Sequence, residues 1–293
     1  MLRSLTVQAP AKINLGLRVF PKRADGYHEI ESIFSTVNLC DSITVQVLDQ
    51  KDVCKVDCEG MVLPQENTFT KAYKAFCVLT GIREGVRVHV TKRIPAGGGL
   101  GGGSSDSSSF IKSIDSLFGT QLSDSDLLDI AGQVGSDVYF FTRALVEKDR
   151  LKSNDSLFTA IVRGRGELIT PIESRNDFSI LLVFPGVQVS TKDAYALVDS
   201  SLKWNPEDRH SDAELECLYK KPIREWFFSN DFAAPVAEKY PRVRQALDEL
   251  SKVGSDFVDM SGSGSTVFAV FEDRNKAEAA YRTLAMQWDS LLV

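Results

Sequence analysis

Six of the chain's 20 glycines fall in the seven residues from Gly97 to Gly103, broken by Leu100, and five serines follow within the next six positions. A glycine run has no side chains to shape it, so its flanks decide between a flexible linker and a binding loop. Before it, Val86, Val88 and Val90 alternate and predict a strand leading into Pro95. After it, Phe110, Ile111, Ile114, Leu117 and Phe118 form one apolar stripe, predicting a helix that starts between Ser104 and Ser107. Backbone N–H groups converging in such a loop, ahead of the positive end of a helix, make an anion cradle suited to a polyphosphate.

Two well-known glycine loops fit poorly. Gly97 to Gly102 satisfies G-x-G-x-x-G, which carries little information inside a run this rich in glycine. A dinucleotide fingerprint also usually follows the first strand of its domain, not a strand near residue 90. A Walker loop would need Lys and Ser or Thr after Gly102, where Gly103 and Ser104 stand. The net charge of −6 argues against a nucleic-acid partner, which would call for a basic surface, so phosphate recognition must be local. Apolar runs such as Ile180 to Phe184 are far short of the roughly 18 residues that span a bilayer. No secretory signal is seen at Met1 to Thr6, and the five cysteines show neither metal nor disulfide spacing. These features predict a cytoplasmic protein without a membrane partner.

The remaining pattern reads as two α+β halves. Ile13, Leu15, Leu17 and Val19 alternate as a half-buried strand, which places Lys12, Asn14, Gly16 and Arg18 on its polar face. Asp25-Gly26 marks a turn, and Ile43, Val45 and Val47 a further strand. Asn67 caps a helix over 67–80, and Ser123 with Asp126 forms a capping box for a helix ending at Gly135. Asp137 then stands at the entrance of an apolar run. The polar stretch 147–159 predicts an exposed excursion and a boundary, giving domains 1–158 and 159–293. The second half carries a strand at 179–184, helices at 191–201, 231–239 and 242–253, a strand at 265–271 and a helix from 274.

Pro95-Ala96-Gly97-Gly98-Gly99-Leu100-Gly101-Gly102-Gly103-Ser104-Ser105-Asp106 closely resembles the phosphate-binding motif of the GHMP kinases, the superfamily of galactokinase, homoserine kinase and mevalonate kinase. Pro10-Ala11-Lys12-Ile13-Asn14-Leu15 and Ser261-Gly262-Ser263-Gly264-Ser265-Thr266 agree in order and position. The three motifs span nearly the whole chain. Asp25-Gly26-Tyr27-His28-Glu29-Ile30, Gly135-Ser136-Asp137-Val138 and Arg163-Gly164-Arg165-Gly166-Glu167 are similar to the diphosphocytidyl-methylerythritol branch of that superfamily.

The resemblance implies a two-domain α+β GHMP kinase fold with its active site in the inter-domain cleft. It also implies transfer of the γ-phosphoryl group of ATP, with Mg²⁺, to the 2-hydroxyl of a cytidine-diphosphate-linked alcohol in non-mevalonate isoprenoid precursor synthesis. Lys12 and Asp137 are then catalytic, the aspartate accepting the hydroxyl proton and the lysine offsetting charge. Residues Pro95 to Ser105 wrap the ATP phosphates, with Ser104 and Ser105 as hydroxyl donors and Asn67 near the nucleoside. Asn14, Tyr27, His28, Thr191 and Tyr195 contact the substrate, Tyr195 by stacking on the base. No metal ligand is assigned, because Mg²⁺ prefers phosphate oxygens and water to dedicated protein cages. The expected assembly is a monomer or weak homodimer.

Plainer readings stand beside these. Asp137 can be a helix-terminal cap, Lys12 a solvated strand lysine, Asn67 a cap only, and Tyr27 and Tyr195 half-buried core residues. His28 can merely satisfy a turn, while His89 and His210 match no motif and read as surface. Ser107 to Ser109 read as capping and polar surface, Asp106 as a residue favouring the helix N-terminus, and Ser261 to Thr266 as a tight turn that either closes the cleft between the halves or is structural only. Tyr139 stands where the family commonly has Pro, and 145–161 is longer than the usual connection. The rival functions are another GHMP alcohol kinase and a silent nucleotide-binding protein.

Overall fold

The computed structural model describes residues 3–151, 157–201 and 209–293. The chain forms two compact units, each drawn from several segments. Of the described residues, 3–11, 38–94 and 101–151 make the first, and 12–37, 95–100, 157–201 and 209–293 the second.

In the first unit, β2 (His28–Lys51) contributes its second half, and Ile43 and Val45 sit opposite Val90 and Val88 of the antiparallel β4 (Glu84–Thr91). The short β3 (Cys54–Cys58) runs parallel to β4 on its other edge. Helices α1 (Thr68–Thr80), α2 (Gly102–Phe118), α3 (Asp124–Val134) and α4 (Ser136–Leu151) complete the unit. Phe69, Phe76, Phe110 and Ile114 of α1 and α2 bury their stripes with Val86, Val88 and Val45. Removing such side chains from water is the main stabilising term.

In the second unit, the first half of β2 pairs antiparallel with β5 (Thr159–Gly164), which pairs with β6 (Leu168–Ile172). A separate antiparallel sheet has the order β10-β7-β9-β8, with β7 Ser179–Phe184, β8 Phe257–Met260, β9 Val267–Phe271 and β10 Asp289–Leu292. Around these strands lie α5 (Thr191–Ser201), α6 (Asp212–Lys220), α7 (Ala233–Lys239), α8 (Pro241–Lys252) and α9 (Arg274–Leu284). Pro241 occupies the first turn of α8, where its missing N–H leaves no helical bond unmade.

Several expectations are corrected. Strand β1 (Ser4–Lys22) is buried on both faces over Ala11 to Leu17, so Lys12 and Asn14 are enclosed, not solvated. The polar run Glu147 to Arg150 is not a loop but the last turn of α4, where Arg143 pairs with Glu147 at 2.8 Å and Arg150 with Asp124. Residues 152–156 of the predicted excursion lie outside the described residues. Tyr139, the departure from the family pattern, packs over Gly132 of α3: a Cβ there would lie 2.1 Å from the tyrosine hydroxyl.

Candidate active site

Lys12 is 3% exposed, and its Nζ donates to Asn14 Oδ1 at 2.6 Å and to the carbonyl oxygen of Gly99 at 3.1 Å. The period of two in β1 is what puts Lys12 and Asn14 side by side. Asn14 donates through Nδ2 to Ser32 Oγ at 3.2 Å, so its amide orientation is fixed by partners on both sides. The Lys12 ammonium also lies 4.8 Å from the centre of the Phe34 ring. A buried ammonium is costly unless hydrogen-bonded, and these two oxygens and the ring face hold it beside the glycine loop.

The loop is clamped by the last glycine motif. Ser261 Oγ donates to the Gly99 carbonyl at 3.0 Å, and the Thr266 N–H donates to the Gly98 carbonyl at 3.1 Å. A Cβ on Gly99 would stand 2.0 Å from the carbonyl oxygen of Ser261, and its φ of +76° already favours glycine. Ser261 to Thr266, which reads as a turn in the sequence, is also the wall that shapes the glycine loop. Three motifs kept in one order were the signal available, but nothing in the residues specified that contact.

Helix α2 begins at Gly102, earlier than its apolar stripe predicts, so Gly102 and Gly103 form its first turn. Gly101, at φ 70°, supplies the cap position without a side chain, and the N–H groups of Ser104 and Ser105 bond to its carbonyl. The N–H groups ahead of them belong to the first turn of the helix, where donors have no intrahelical partner and can take an anion. A Cβ on Gly103 would meet nothing within 4 Å, so the cradle is open there. Ser105 is fully buried, and its Oγ has no hydrogen-bond partner among the described residues.

The other serines are not surface. Ser107 donates to the Gly103 carbonyl at 2.9 Å and Ser108 bonds Thr142 at 2.8 Å, both buried. Nor does Asp106 serve the helix N-terminus. It is buried in the second turn, where Lys92 Nζ donates to it at 2.8 Å and also to Asp41. Asp41 further accepts the N–H groups of Arg93 and Ile94, at 2.5 and 2.9 Å. Burial outweighs the attraction of Lys92 and pushes the Asp106 carboxyl up to about 7. Sequence reading missed Asp41 and Lys92, whose partners are distant in the chain.

Asp137 lies in the first turn of α4, immediately after Gly135 caps α3. Asn67 caps α1: Oδ1 accepts the N–H groups of Phe69 and Thr70 at 3.0 and 3.1 Å, and Nδ2 donates to the Pro64 carbonyl at 2.9 Å.

The predicted substrate residues of the second unit fall partly together. His28 is buried and its Nδ1 donates to the Phe20 carbonyl at 2.7 Å, while its ring stacks on Tyr195 at 4.9 Å. Tyr195 also meets the Phe232 ring edge-on at 4.9 Å. Thr191 opens α5, and its Oγ1 lies 3.2 Å from Ser263 Oγ. Tyr27 is 54% exposed, with the Arg165 guanidinium 4.8 Å above its ring. His210, read as surface, is half-buried with Nδ1 2.9 Å from Glu31 Oε1. Among the described residues, no cluster of three or more His, Cys, Asp or Glu is placed to hold a metal ion. No described helix is long and apolar enough to cross a membrane.

The chain is similar to known proteins over most of its length. Residues 67–144 match the GHMP kinases N terminal domain and 217–289 the GHMP kinases C terminal domain. A 4-diphosphocytidyl-2-C-methyl-D-erythritol kinase of Treponema pallidum is 38% identical, over 98% of this chain and 97% of that protein. One from Thermotoga maritima is 38% identical over 89% of this chain and 90% of its own. The crystal structure of a 4-(cytidine 5'-diphospho)-2C-methyl-D-erythritol kinase superposes with a TM-score of 0.75 at 28% identity, covering 98% of each chain. The chain belongs to the GHMP kinases, and within them to the family of 4-diphosphocytidyl-2-C-methyl-D-erythritol kinases.

Proposed function

We propose that this chain transfers the γ-phosphoryl group of ATP to the 2-hydroxyl of 4-diphosphocytidyl-2-C-methyl-D-erythritol, a step of non-mevalonate isoprenoid precursor synthesis. The observation that carries the reading is the buried Lys12 ammonium bonded to the Gly99 carbonyl, in a chain matched along nearly its full length by kinases of that name.

Phosphoryl transfer asks a protein chiefly for positioning and charge stabilisation. The free N–H groups at the start of α2 and the open space above Gly103 take the phosphates of ATP. Lys12 offsets the charge that develops on the transferring group and on the attacking oxygen. Asp137 orients the 2-hydroxyl and accepts its proton late in the transfer, which suits a weak base such as a carboxylate. Asn14 holds Lys12 in place, and Tyr27, His28, Thr191 and Tyr195 take the cytidine end. The stacked His28 and Tyr195 rings must part, or present one outer face, for a base to stack there. Mg²⁺ would be carried on ATP, where it would neutralise phosphate charge, because it keeps its waters and prefers phosphate oxygens to protein ligands. Family-domain limits of 1–158 and 159–293 belong to the same reading.

The test measures ADP release from ATP and Mg²⁺ with 4-diphosphocytidyl-methylerythritol, homoserine, mevalonate and galactose in parallel. Turnover with the cytidylated alcohol alone is expected. Turnover with a different alcohol redirects the assignment within the GHMP kinases, and ATP binding without turnover points to a silent nucleotide-binding protein.

A further inference from the structure

The Arg163-Gly164-Arg165-Gly166-Glu167 segment has no part in the chemistry above, yet its geometry is tightly specified. It forms the turn between β5 and β6, with Gly164 at φ 68° and Gly166 at φ 120°. The Glu167 carboxylate folds back under the turn and accepts the N–H of Arg165 at 2.5 Å. A Cβ on Gly164 would overlap that carboxylate, at 2.7 Å from Oε2. The turn therefore presents the Arg165 side chain in one direction, onto the ring of Tyr27.

Three arginines of the second unit pair with carboxylates of Asp25, Glu29 and Glu31, which flank Tyr27 in the chain. Arg163 pairs with Glu31 at 2.5 Å and Asp212 at 2.7 Å, Arg209 with Glu29 at 2.7 Å, and Arg23 with Asp25 at 3.0 Å. Arg165 differs. Among the described residues its guanidinium makes no ion pair or hydrogen bond, and its contact is the Tyr27 ring, 4.8 Å away at the centroid. A guanidinium over an aromatic face keeps its planar fork of donors free at the rim, and that fork matches phosphate oxygens.

We propose that Arg165 is a specificity-determining residue that recognises the diphosphate of a nucleoside-diphosphate-linked substrate, while the ring it covers offers its other face to the base. The inference rests on the substrate reading of Tyr27 given above. It adds a charge-recognition element to a turn otherwise explained only as structure.

The test uses calorimetric binding of cytidine and of CDP to the full-length protein, with the ATP site filled by a non-hydrolysable analogue. In Arg165→Met, CDP affinity is expected to fall about tenfold, as for loss of a charge-assisted contact, with cytidine affinity within about twofold of the parent. In turnover, KM for the cytidylated alcohol should rise by about the same factor while kcat and KM for ATP hold. Unchanged CDP affinity overturns the proposal, as does an equal loss for cytidine and CDP, which would mark Arg165 as a support for the ring alone. Failure of the parent protein to bind either cytidine compound would instead defeat the substrate reading itself.

Discussion

The Nζ of Lys12 donates to the carbonyl oxygen of Gly99 at 3.1 Å, joining the first strand to the glycine loop 87 residues later. The cation to which the proposed function gives the catalytic role is thus held by a backbone carbonyl.

Lys12→Met keeps the apolar stem against Phe34 and removes the charge. Its kcat should fall by about 10²–10³-fold, as for loss of a group stabilising the transferring phosphoryl. Asp137→Asn should lower kcat by about 10²-fold, near the low end for general bases. Steady-state turnover alongside circular dichroism checks both, and near-normal kcat in a folded variant would sink the assigned role.

Gly99→Ala and Gly103→Ala should separate shape from access. At Gly99 a Cβ collides with the Ser261 carbonyl and φ is unfavourable, so unfolding in urea should show a loss of roughly 3 kcal/mol or more. At Gly103 the Cβ meets open space, and helix propensity should leave stability equal or slightly improved. If the phosphates occupy that space, Gly103→Ala raises KM for ATP by about tenfold through steric exclusion. An unchanged KM would place the phosphates elsewhere.

Asp259 sets a pH dependence. The residue is 6% exposed, its Oδ2 has no hydrogen-bond partner among the described residues, and burial pushes the carboxyl up to about 8 from 3.8. Between those values the folded chain holds a proton that the unfolded chain has released. Its contribution to stability is therefore largest in acid and declines as pH rises, by roughly 1 kcal/mol per pH unit, levelling above about 8. Asp259→Asn should flatten that decline in urea midpoints taken from pH 5 to 8. Identical slopes in the two proteins would mean the group is ionised in the fold.

Lys92→Met strands two buried carboxylates, Asp41 and Asp106, and should cost about 3–5 kcal/mol. Pairing it with Asp106→Asn should recover part of that loss. Chemical denaturation of the single and double variants measures the coupling, and a single-variant cost below about 1 kcal/mol would argue that the cluster carries no such penalty.

Local signals proved most legible. The valine alternation gave β4, Asn67 and Ser123 marked the starts of α1 and α3, and the apolar stripe gave α2 apart from its glycine first turn. Lys12 and Asn14 were placed together by strand period, but their burial was not, because a polar face reads the same whether water or a loop lies over it. Asp41 and Lys92 carry no signal in the sequence for a related reason, and Ser261 reads as part of a turn without its contact to Gly99: these partners are fixed by tertiary approach, which no spacing encodes. The charged run after Val146 read as a loop since its ion pairs to Arg143 and Asp124 are invisible without the helix that aligns them.

The closeness of the two glycine motifs ties their futures together. A side chain at Gly99 runs into Ser261, and one at Gly262 would stand 2.8 Å from the Gly99 carbonyl. Both positions also have a positive φ, and the atoms a side chain would meet are backbone, so no change of side chain at one relieves the other. Libraries varying either segment, or both at once, should return glycine at 99 and 262 in nearly every active clone.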